Sequence, residues 1–184
     1  MDLTLSWDLF VVVFFAMVIT YAYIIGKHQS LKIIIATYIA TVAVQGIGNI
    51  LSKMSGGSAP MLSTIGITFD STVLSTIKLV VFLASIVFIV ARGGIEIQYG
   101  KETGSFLNMI ITGLFGFASA GLLLSTLLTF IAGAPILDAG IAQAANISPM
   151  LEQSKLMQLL AFNQNLWFAL PAILLLGVGF LSSE

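Results

Sequence analysis

Thr37, Thr41, Gln45 and Asn49 recur at every fourth position inside an otherwise apolar run, residues 33–51. On a helix that spacing puts all four on one face. Hydroxyl and amide groups in such a row can do two things inside a membrane. They can hydrogen-bond to neighbouring helices, or they can wall a polar path for a small solute or ion. No acid interrupts the row, which argues against a proton relay. Gly46 and Gly48 beside it invite close approach of another helix.

Little else in the sequence has the composition of a reactive site. Cysteine is absent, which removes disulfides, thiolate nucleophiles and Cys-ligated metal. The one histidine, His28, follows Lys27 and reads as a solvated interfacial residue in preference to a metal ligand. The eight acids are scattered through loops and helix ends, and no HExxH, GxSxG or closely spaced Ser–Lys pair is present. Gly93, Gly94, Gly100 and Gly104 do not form a phosphate-binding loop, because the GxxxxGK[ST] pattern is missing. The expectation is a non-enzymatic protein with no cofactor.

The elements that carry these residues follow from composition. The chain is 58% hydrophobic and 8% charged, with mean hydropathy +1.08. Soluble domains carry about 25% charged residues. An all-α integral membrane protein is therefore expected, a single membrane domain over 1–184 with four to five transmembrane helices packed as hairpins. Its net charge of −1 argues against a nucleic-acid partner. The spans are predicted at about 9–26, 33–51, 73–91, 107–131 and 160–181, the last interrupted by Asn163-Gln164-Asn165 and Pro171. Ser6 and Asp8 suit the start of the first helix, and residues 27–32 form a tight basic turn after it. Ser148-Pro149 opens a helix over about 149–158 that is too polar to cross and lies at the interface. Residues 52–72 and the stretch after Gly133 read as loops, the former with an apolar middle at 61–69. Lys78, one turn inside the third span, either snorkels to the head groups or belongs to a buried pair.

The span at 107–131 is the one the others are organised around. It runs 25 residues without a charge, long enough for a hydrocarbon layer of about 30 Å. Thr112, Gly116 and Ala120 follow one another at i+4, flanked by Gly113 and Ser119. That small-residue stripe lets helix backbones come close, and Thr112 and Ser119 offer hydroxyls to the polar row at 37–49. Ile110, Leu114, Phe117 and Leu124 form the opposite face, suited to lipid or a second packing partner.

Lys27, Lys32, Arg92 and Lys101 fall on one side of these spans, and Asp2, Asp8, Asp70, Asp138 and Glu152 on the other. The positive-inside rule then puts the N-terminus outside.

Two patches resemble the colicin V production proteins, small multi-pass proteins of the bacterial inner membrane. Asp8 at the head of the first span and Gly26-Lys27 at its end, followed by Ser30-Leu31, are similar to one family pattern. The run from Asn108 to Ala120, preceded by Thr103-Gly104, is similar to the glycine-rich lead into the family's fourth span. The likeness covers roughly residues 6–131. Two family arginines are missing, with Ser119-Ala120 and Asn108-Met109 in their places. The resemblance implies an inner-membrane protein linked to export or envelope maintenance, without cofactor. The partners expected are membrane lipid and other membrane subunits, or further copies of the same chain.

Overall fold

The computed structural model describes residues 6–56, 71–92, 105–133 and 148–181. Among them every element is helical. These are α1 (Trp7–Gly56), α2 (Ser71–Arg92), α3 (Ser105–Ala132), α4 (Ser148–Gln153), α5 (Lys155–Phe162) and α6 (Gln164–Leu181). The connection at 57–70, with its apolar middle, the glycine-rich loop at 93–104 and the segment at 134–147 lie outside the described residues, as do Asp2, Asp70, Lys101 and Asp138.

Among the described residues three helices are long and apolar enough to cross a membrane: Trp7–Ile50, Ser75–Arg92 and Phe106–Ala132. A fourth joins them if the bent pair Lys155–Phe162 and Gln164–Gly179 is taken as one span.

The longest of these helices is folded in two. Ser6 caps its start, its Oγ accepting from Leu9 N–H at 3.2 Å. Apolar helix then continues to Gly26, whose φ of 78° and ψ of 173° lie in a region almost confined to glycine. Helix resumes at once. The Ser30 hydroxyl reaches back to the carbonyls of Gly26 and Ala22, at 3.0 and 3.5 Å. Eight residues of straight helix would hold Ser30 and Ala22 about 12 Å apart. The turn predicted over six residues, 27–32, is thus one glycine, and Lys27 and Ser30 are buried helix residues.

Both arms of α1 lie along α3, in opposite senses. On the first arm, Val11 packs with Leu124 and Leu128, while Ala22 meets Gly116. On the second, Leu31 and Ile34 pack with Ile111 and Phe115, while Ala40 and Val44 meet Phe130. α6 also runs against α3, from Trp167 over Gly121 to Val178 beside Ile111 and Phe115. α2 closes the far side, its Phe82 edge-on to Phe130 with ring centroids 5.1 Å apart. α3 is accordingly the centre: 72% of its most apolar stretch is buried, against 11% in α1 and 6% in α2. It ends at Gly133, where φ of 69° provides the left-handed cap that stops a helix.

The interfacial helix predicted at 149–158 is two short helices split at Ser154, and α5 meets α6 at 69°. The cause is local. Ser154 caps α5 through Met157 N–H, and Asn163 ends it by returning both its backbone N–H and its side-chain amide to the Leu159 carbonyl. Leu124, predicted on the outer face of α3, is instead 3% exposed, in a cluster with Leu128, Leu151, Met157 and Leu160. The folded-back α5 covers it. Ile110, Leu114 and Phe117 are exposed.

Candidate functional site

The small-residue face of α3 points into the bundle. Thr112, Gly116, Ser119 and Ala120 are buried, and Gly113 is partly so. A β-carbon on Gly116 would stand 2.8 Å from Ala22 Cβ and 3.0 Å from Ile19 Cα, closer than atoms pack. A β-carbon on Gly113 would strike the Tyr23 hydroxyl. The first arm of α1 crosses α3 here backbone against side chain. Another such approach has no signal in the stripe pattern. The Trp167 ring lies on Gly121, one residue beyond Ala120 and turned toward α6.

The polar row divides. Thr37 and Thr41 are buried, but their hydroxyls do not reach another helix. Thr37 Oγ1 donates to the Ile33 carbonyl at 2.8 Å and Thr41 Oγ1 to the Thr37 carbonyl at 2.6 Å, each one turn back. Thr112 does the same to Asn108, so it is not the partner the row was expected to find. Ser119 Oγ is buried with no partner. Gln45 Oε1 is likewise buried and unbonded, while Asn49 faces outward. Of the two glycines beside the row, Gly46 has open space around it. Gly48 carries the aliphatic stem of Lys78 from α2. Lys78 is half-buried and packs on α1 at this point.

Hydrogen bonds between helices fasten α5 and α6 to the rest of the bundle. Gln164 Nε2 donates to Thr129 Oγ1 at 2.5 Å, both groups buried. The Tyr38 hydroxyl donates to the Phe168 carbonyl at 2.5 Å. Phe168 lies three residues before Pro171, whose ring deprives this turn of an N–H and loosens it. Asp8 Oδ1 accepts from the Ser154 hydroxyl at 2.6 Å and from Leu156 N–H at 3.0 Å. These two bonds, the hydroxyl first, hold the Asp8 carboxyl below its ordinary range, with Lys155 adding to the effect against partial burial. The sequence places Asp8 at a helix start but gives no hint of a partner 146 residues away. Of the polar residues that interrupt the last predicted span, Asn163 caps α5, Gln164 is buried and Asn165 is exposed.

One cavity of about 410 Å³ opens between the first arm of α1 and the α5–α6 elbow. Every lining side chain is apolar, with Phe15, Phe117 and Trp167 forming a mutual aromatic cluster at centroid distances of 5.3–5.8 Å. Trp167 Nε1 is buried and has no acceptor. Among the described residues no group of three or more His, Asp or Glu side chains could hold a metal ion, and His28 is exposed.

Comparison with protein-family models, with curated proteins and with solved structures finds no match for this chain.

Proposed function

We propose that the chain is a non-enzymatic, multi-pass protein of the bacterial cytoplasmic membrane, acting as a structural or assembly subunit of a larger membrane complex. Five passes cross in this reading: the two arms of α1, then α2, α3 and α6, with α4 and α5 at the outer interface. The observation that carries it is the state of the polar row. Thr37 and Thr41 spend their hydroxyls within their own helix, so the helix presents an apolar surface where a path for ions would need free groups. What the chain has built instead is a tight seam at Gly113 and Gly116. The resemblance of Asp8, Gly26-Lys27 and the run 108–120 to colicin V production proteins adds a link to export or envelope maintenance.

Reconstitution in liposomes tests this against the pore reading, which retains one favourable observation, the unbonded Gln45 Oε1. The expected result is no flux of ions or small polar solutes. A flux abolished by Gln45→Leu would overturn the structural reading. Native mass measurement after gentle extraction then tests the subunit claim, with a heterogeneous or multimeric mass expected and a bare monomer counting against it. Orientation is read from single cysteines at two exposed positions, Ser6 and His28. An impermeant thiol reagent should label the first and leave the second.

A further inference from the structure

The turn between the two arms of α1 carries a buried charge. Lys27 is 8% exposed, and among the described residues no carboxylate or carbonyl bonds its ammonium. We propose that Lys27 anchors an anion site at this turn, and that the anion is a phosphate group. The proposal does not rest on the chain's being a subunit of anything.

Two packed faces place the lysine. Leu31 and Ile34 of the second arm pack with Ile111, Phe115 and Val178. Lys27 precedes Leu31 by one turn and continues the same face. It therefore stands at the mouth where the second arm, α3 and α6 converge. On the α3 face the corresponding residue is Asn108, whose Oδ1 is enclosed and unbonded. The Lys27 ammonium is not sealed in as that oxygen is, so an occupant can reach it from outside. A side chain at the start of a helix leans toward the N-terminus, here toward Gly26. A β-carbon on Gly26 would meet nothing within 4 Å, which leaves the backbone open to close approach.

Charge selects the occupant. Helix starts afresh after the non-helical Gly26, so the positive end of the second arm's dipole falls at this turn. Gly26 stands in the capping position and has no side-chain oxygen to offer the first-turn N–H groups. The carbonyls of Ala22 and Gly26 are engaged by the Ser30 hydroxyl. Exposed His28 and half-buried Lys32 add to the basic field. The described acids are far away: Asp8 lies about 28 Å back along the first arm, and Glu152 is two residues from the Ser154 that bonds it. An unpaired ammonium beside a helix N-terminus suits phosphate, whose several oxygens can accept from both at once. The first arm rises about 30 Å from Trp7 to Gly26, which sets the turn at head-group level when that arm crosses a bilayer. Phosphate can come from a phospholipid head group or from solution.

Thermal melting tests the site and separates the two sources. The protein in phosphate-free maltoside micelles is followed by helical circular dichroism. Inorganic phosphate, dioctanoyl phosphatidylglycerol and dioctanoylglycerol are titrated separately, against sodium chloride at matched ionic strength. One or both phosphate compounds should raise the melting temperature saturably, and dioctanoylglycerol and chloride should not. A phospholipid that half-saturates at least tenfold below inorganic phosphate makes the head group the source; otherwise the source is free phosphate. Lys27→Gln should raise the half-saturating concentration at least tenfold. Lys27→Arg, which keeps the charge, and Lys155→Gln, at the far end, should leave it within twofold. No saturable shift with either phosphate compound, or an unchanged response in Lys27→Gln, overturns the proposal. Where Lys27→Gln fails to fold, the site is located with Lys27 in place. A nitroxide on His28→Cys should broaden the phosphorus resonance of the phosphate compound, added below one equivalent, far more than a nitroxide on Ser6→Cys. Equal broadening from the two positions overturns the proposal as well.

Discussion

Gly116→Ala adds one methyl group at the tightest point of the α1–α3 seam. The new carbon would sit 2.8 Å from Ala22 Cβ and 3.0 Å from Ile19 Cα, where carbon atoms prefer about 3.5–4.0 Å. Ile19 Cα is backbone, so no rotamer change relieves the overlap, and the two helices must part by most of an ångström. In a bilayer this matters more than transfer free energy, because helix association there depends on van der Waals packing and lipid is as apolar as the seam. Overpacking of this kind costs about 1–3 kcal/mol. Alanine returns up to about 1 kcal/mol through its better helix propensity. The net expectation is a loss of about 1–2 kcal/mol. Gly46→Ala is the control, since nothing lies within 4 Å of its β-carbon position and only the propensity gain, up to about 1 kcal/mol, remains. The assay is reversible unfolding in mixed micelles, titrated with a denaturing detergent and followed by helical circular dichroism. Equal stability of the two variants would refute the close-packed seam.

Gly26→Ala should destabilise the α1 turn by about 1–3 kcal/mol in the same assay, through backbone strain at φ 78° and not through a clash, since the site has open space. Tyr38→Phe should cost about 1 kcal/mol by releasing the Phe168 carbonyl, with no change of fold. Asp8 sets a pH dependence. Its carboxyl is held below the ordinary range, so the stability it contributes is complete above the unfolded value, about pH 3.9, and is lost as pH falls through the lower folded value. The melting temperature should therefore be level from neutral pH down to about 5 and drop in stronger acid. The drop should be absent in Asp8→Asn, which is less stable at neutral pH.

What the sequence made legible was the set of apolar runs and the face of the central helix, because both depend on periodicity alone. Residues 107–131 and the observed Ser105–Ala132 differ by a turn at most. The destination of polar groups was not legible. A threonine inside any helix can bond the carbonyl one turn back, so the spacing of Thr37 and Thr41 is the same whether they face a partner or serve themselves. Long-range ties leave no local trace either, as with Gln164 and Thr129, 35 residues apart. Leu124 reads as outward on α3 alone, because what covers it is α5, whose direction is set by two capping residues, Ser154 and Asn163. Gly121 stands off the i+4 stripe, so the pattern does not mark it; the indole ring of Trp167 lies against it.

Two kinds of adhesion thus divide the molecule. Where the arms of α1 meet α3, threonines that bond their own carbonyls leave methyl groups outward, and glycine and alanine let the helices touch. At Gly113 and Gly116 the seam depends on shape. The C-terminal pair of helices, α5 and α6, is different. It is bent, carries Pro171, and is fastened by Asp8 to Ser154, Thr129 to Gln164 and Tyr38 to Phe168. At the elbow two backbone groups of the bent pair, Leu156 N–H and the Phe168 carbonyl, find side-chain partners in Asp8 and Tyr38. The same bend frames the apolar groove, which lies between the first arm of α1 and the α5–α6 elbow.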